Sequence, residues 1–155
     1  MINKNELRYG SIISTSEGSG QIENIYHKSA DVSYNTLNGN RLIIQSEFHE
    51  MQHIVCTPYW LELLGFEKDG FGGFNINISH WVDRLKIISF SGDYIYLREG
   101  DKNKKRHDDD LVVLWNNDLR GKIPVHQLQS IYFILSGKEL VIHASSSSTD
   151  PHFGR

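Results

Sequence analysis

The sequence predicts an α+β protein: a small open β-barrel of the Src-homology kind, a short helix, then an antiparallel sheet packed by a C-terminal helix. Three observations lead there. Short apolar runs broken by Gly and Asn fill the first third of the chain, as in a small barrel. Residues 74–80, Phe-Asn-Ile-Asn-Ile-Ser-His, alternate with period two, which is the mark of a half-exposed strand. Residues 124–142 carry the clearest helix start and stop signals in the chain.

Taken in order, Ile12-Ile13 predicts a first strand, residues 21–26 a second, and residues 32–36 and 41–44 a third and fourth. The last two flank Asn38-Gly39, a hairpin signal because both residues tolerate positive φ. Residues 46–52 read as a short helical turn, and Ile54, Val55 and Cys56 as a fifth strand that completes the barrel. Thr57 suits a helix cap with Pro58 in the first turn and Gly65 as the stop. Residues 70–73, with three glycines, predict a corner. Residues 85–90 and 94–97 predict a hairpin, and residues 111–115, apolar throughout, an interior strand. From Pro124 to Gly137 the period of 3.6 places Val125, Leu128, Ile131, Tyr132 and Leu135 on one core-facing arc. His126, Gln129, Phe133 and Ile134 fall outside that arc, and residues 140–142 read as a closing strand. The expected division is 1–56, 57–144 and a polar tail, 145–155.

A chain of 155 residues fits one domain or two small ones. Its formal charge of −3 gives no bulk attraction to nucleic acid or anionic membrane. The single Cys56 excludes an internal disulfide and fits a reducing compartment. The longest apolar runs, about five residues, fall far short of the roughly 20 that span a bilayer. The N-terminus shows no signal-peptide core, and the expected location is cytoplasmic.

The run His126-Gln127-Leu128-Gln129-Ser130-Ile131-Tyr132-Phe133-Ile134-Leu135-Ser136-Gly137-Lys138-Glu139-Leu140 resembles the C-terminal signature of a family of small uncharacterised proteins from Bacteroidetes and their phages. Those proteins often begin with a Leu-Arg-x-Gly element, to which Leu7-Arg8-Tyr9-Gly10 is similar. Their middle element, Leu-Thr-x-x-Trp-Leu-x-x-x-Gly-Phe, is matched by Cys56-Thr57-Pro58-Tyr59-Trp60-Leu61 and Gly65-Phe66, with cysteine in place of the first leucine. The resemblance implies a phage or mobile-element setting and brings no established biochemical role. The position of His53 is often proline in that family.

Candidate chemistry is sparse. His49-Glu50-Met51-Gln52-His53 would, on a helix, set two histidines on one face to hold zinc, with Glu50 activating the bound water. Eight histidines give about 0.4 pairs at that spacing by chance, and the bounding strands leave room for about two turns. A solvated turn is the preferred reading, and no cofactor is expected. Lys102, Lys104, Lys105 and Arg106 precede His107 and three aspartates, so the charges nearly cancel and a solvated loop is expected. Trp81, on the face opposite Ile76 and Ile78, suits an interface anchor, and His126, Gln129, Phe133 and Ile134 make a second candidate surface. The leading expectation is a non-enzymatic accessory protein that binds a protein partner or itself. The second is a small-ligand binder, with Arg84, Arg98 or Arg106 on a nucleotide phosphate. The third is the zinc hydrolase at His49, Glu50 and His53. Nucleic acid and membrane are not expected partners.

Overall fold

The computed structural model describes residues 2–78, 84–101 and 110–143. The chain divides into two compact units. Described residues of the first are 2–55 and 124–130; those of the second are 56–123, less the two gaps, and 131–143.

The first unit opens with a three-residue 3-10 turn, Lys4–Glu6, capped by the Asn3 side chain. Four strands follow: β1 (Ile12–Thr15), β2 (Gly18–Ile25), β3 (Ser29–Asn35) and β4 (Arg41–Glu47). They form one antiparallel meander in sequence order. Alternation aims one face inward, where Ile13, Ile22, Ala30, Val32 and Tyr34 pack with Ile2, Leu7 and Met51. Ile22 stands opposite Val32 in the register. Gly20 lies in the same row for a steric reason, since a Cβ there would overlap Val32 Cγ1 and sit 2.7 Å from Tyr34 Cε1. The expected hairpin at Asn38-Gly39 is present, with Gly39 at φ +77°.

Closure into a barrel is where the structure departs from expectation. After β4 comes a 3-10 turn, Phe48–Glu50, and then a single antiparallel bridge, Ser14 to Gln52. Residues 54–56 form no fifth strand. Ile54 O accepts the Val125 amide at 2.8 Å, and Val55 bridges Pro124. These groups are spent on the entry to a helix, so the four-stranded sheet stays open among the described residues.

The second unit begins with helix α1 (Pro58–Leu63), whose Trp60, Leu61 and Leu63 are buried. Proline stands in its first turn, although Thr57 makes no side-chain cap. Gly65, at φ +84°, ends it. The sheet runs in the order β5 (Glu67–Lys68), β6 (Phe74–Asn77), β7 (Arg84–Ser91), β8 (Tyr94–Asp101) and β9 (Asp110–Asn116). Phe74, Ile78, Ile88, Ile95 and Leu97 are buried in it or beside it. The Asp69 carboxylate accepts the amides of Phe71 and Gly73 and shapes the glycine corner. Contrary to expectation, β9 is an outer strand among the described residues. Its uninterrupted apolar run, which would suit burial on both faces, leaves Leu111, Val112 and Val113 more than half exposed. A four-residue helix, α2 (Asn117–Arg120), follows.

Helix α3 (Val125–Ser136) is the predicted C-terminal helix, ended by Gly137 at φ +71°. Its first half belongs to the first unit and its second half to the other. Val125 and Leu128 are fully buried, as their arc requires. His126 and Gln129 are buried as well, which corrects the expectation that they face outward. The closing strand at 140–142 is absent: Leu140 is buried, but these residues are irregular. Trp81, Arg106 and the 145–155 tail lie outside the described residues.

Candidate functional sites

The first turn of α3 carries an unusual polar group, a fully buried histidine. His126 is 0% exposed, and neither of its ring nitrogens has a hydrogen-bond partner among the described residues. Leaving a buried donor or acceptor unpaired costs about 1–3 kcal/mol, so packing alone would favour an apolar side chain here. What surrounds the ring is not apolar. Nε2 lies 3.7 Å from Glu6 Oε2, beyond hydrogen-bonding reach. The His53 ring stands with its centroid 5.0 Å away and its plane inclined by only 15°. One donor atom from each of Glu6, His53 and His126 falls within 4.8 Å of the others. No other three His, Cys, Asp or Glu side chains among the described residues come so close.

The backbone explains why the three meet. Ile54 O takes the Val125 amide, which fixes His53 beside the start of α3, and the Gln52–Ser14 bridge holds its other side. Arg8, two residues after Glu6, donates to Gln129 O at 2.9 Å. Gln129 in turn bonds β1 and the turn before it, accepting the Ile12 amide at 2.9 Å and donating to Gly10 O at 3.0 Å. Burial pushes the His126 imidazole down to about 4, with nearby His53 adding to the effect and Glu6 opposing it. His126 is therefore neutral at pH 7.

The expected zinc motif takes another form. Residues 48–50 make one 3-10 turn and Met51 is extended, so His49 and His53 share no helical face. His49 pairs with Glu47 at 3.1 Å, and Glu50 accepts the Glu47 amide at the turn's start. Of that pair only His53 joins a cluster. Its companions stand far away in sequence, with no motif spacing to announce them. No local pattern marks Glu6, and the helical arc alone places His126 on the outer surface.

The second candidate is apolar. Leu111, Val112 and Val113 on β9 are exposed by 58%, 55% and 53%, and no described strand pairs with the outer edge of β9. On α3, Phe133 and Ile134 are exposed, as expected. Arg98 is half-buried in β8, opposite Leu111 in the register. Arg84 lies in β7, but its side chain is not among those described. Burial pushes the Cys56 thiol up to about 12, so it stays protonated at neutral pH and is a poor nucleophile.

Comparison of the chain with known protein families, with curated proteins and with solved structures finds no match. No helix among the described residues is long and apolar enough to cross a membrane.

Proposed function

We propose that this protein works without catalysis, by protein–protein contact, and that its contact is the outer edge of β9 extended by the same strand of a second copy. One observation carries the reading: three consecutive apolar residues, each more than half exposed, on a strand whose outer edge is paired by no described strand. An edge strand left long and apolar invites pairing, and edges are commonly protected by charge, proline, brevity or a bulge; β9 bulges at Leu114, and Leu111, Val112 and Val113 lie on its regular part. The outer strand at the other end of this sheet, β5, is two charged residues long. β4 carries Arg41 and Glu47 at its ends. Residues 111–117 have no charge and no proline.

Self-pairing suits the sequence of β9. An antiparallel pair centred on Val112 sets Leu111 against Val113, short of the bulge, and Asp110 against Leu114, so no like charges meet. The phage or mobile-element setting, which rests on the resemblance alone, belongs to the same proposal. Light scattering across a concentration series tests it. The expected outcome is a dimer that Val112→Lys converts to a folded monomer. A chain that remains monomeric at its highest soluble concentration, or a dimer indifferent to Val112→Lys, ends the reading.

A further inference from the structure

We propose that Glu6, His53 and His126 form a divalent-metal site, and that zinc is the ion it takes. The inference is independent of the β9 reading and lies in the other unit. Zinc holds imidazole nitrogens at about 2.0–2.1 Å and carboxylate oxygens at about 2.0–2.2 Å. Tetrahedral geometry then spaces the donors about 3.4 Å apart and the centroids of two ligating imidazoles about 5 Å apart. The His53 and His126 centroids are already 5.0 Å apart, although the rings stack with planes only 15° apart, so one ring must turn before both lone pairs meet at a single ion. Glu6 Oε2 stands 3.7 Å from His126 Nε2, and all three donors lie within 4.8 Å. Rotation of the Glu6 and His53 side chains, both exposed, with the His53 ring turned out of the stack, would close the remaining gap.

The second, independent sign of a ligand is His126 itself. A histidine with no exposure and no partner for either nitrogen has a lone pair with nothing to accept. Beside a carboxylate and a second imidazole, an ion meets that need. Two imidazoles and one carboxylate are a zinc donor set, whereas calcium and magnesium demand oxygen ligands. The ligands are also held from behind. Arg8 ties the Glu6 segment to Gln129 O, and Ile54 O ties the His53 segment to Val125. These contacts fix the backbone of the three segments that carry the ligands.

Three protein ligands leave a fourth position. Since His126 lies inside while Glu6 and His53 are exposed, that position faces solvent and takes water or a small anion. This is the open arrangement, unlike the closed four-ligand set of a purely structural zinc.

The test uses tag-free full-length protein, stripped with chelator and titrated with zinc itself against a chromophoric competitor. One zinc per chain is expected. His53→Ala and Glu6→Gln, both at exposed positions, should each weaken binding at least tenfold while leaving the circular dichroism spectrum unchanged. His49→Ala should leave binding unchanged. Cobalt in place of zinc should give the intense visible bands of a four-coordinate ion, and His53→Ala should abolish them. The proposal is overturned if folded protein takes up no zinc, so that water alone occupies the cluster. It is overturned equally if zinc binds but His53→Ala and Glu6→Gln leave its affinity intact, or if His49→Ala removes it.

Discussion

Single residues set the tolerances of the first unit. Gly20 faces Val32 and Tyr34 so closely that any Cβ must displace one of them. Val32 is stiff at χ1, and the Tyr34 hydroxyl is held by Thr15 at 2.6 Å, so neither yields easily. Gly20→Ala should therefore destabilise by about 1–3 kcal/mol, the usual range for overpacking. Urea unfolding measures it, and a variant as stable as the parent would contradict the packing described. His126 makes a second residue-scale prediction, for chelator-stripped protein. Its folded pKa lies below the unfolded value, so between pH 6.5 and about 4 the unfolded chain binds the extra proton. Stability is unaffected above pH 6.5 and is lost as pH falls through that window. The loss should reach about 3 kcal/mol, at 1.36 kcal/mol per pH unit. His126→Leu should flatten that part of the stability profile. Equal slopes in the two proteins would show that the ring is hydrated in solution.

At the scale of elements, α3 is fastened to β1 by one side chain. Gln129 satisfies the Ile12 amide and the Gly10 carbonyl together, both in buried surroundings. Gln129→Leu keeps the volume and removes both bonds; the Gly10 carbonyl keeps a weaker bond from Gln21 Nε2 at 3.4 Å, so the cost should be about 1–3 kcal/mol for the one orphaned Ile12 amide. Thermal unfolding measures the loss; a change below about 1 kcal/mol would mean that water replaces the amide. The same residue shows where the sequence stops being readable. Proline, the apolar period and glycine fixed the limits of α3, because those signals are local. Which polar residues it buried was decided by backbone groups more than a hundred positions away, and nothing local records them. β9 failed for a related reason. An apolar run fits burial on both faces within a chain as well as burial against another copy, and only strand order separates the two. The barrel expectation failed at Ile54, whose carbonyl is used by α3 rather than by the sheet. The metal cluster could not be seen from spacing, since Glu6, His53 and His126 come from three separate segments.

Across the whole molecule, the chain leaves its first unit at Val55 and re-enters it at Pro124. That unit is therefore not the continuous stretch 1–56 that the sequence suggested. Residues 124–130 supply Val125 and Leu128, both fully buried. They also supply the bonds of Gln129, the Gln129 carbonyl that Arg8 uses, and the Val125 amide that Ile54 uses. A peptide ending at residue 56 loses all of these at once. It keeps a four-stranded meander with unpaired groups at Ile12 and Ile54, and small domains have little stability to spare. We therefore expect residues 1–56 alone to give a collapsed amide spectrum and no cooperative melt, while the full chain gives both dispersion and a sharp transition. The remedy should be the missing segment itself: a synthetic peptide of residues 122–137, added in excess, should restore dispersed amide signals to the fragment by supplying the α3 face. If residues 1–56 fold cooperatively without it, the first unit is complete in its N-terminal part, and α3 is only an accessory to it.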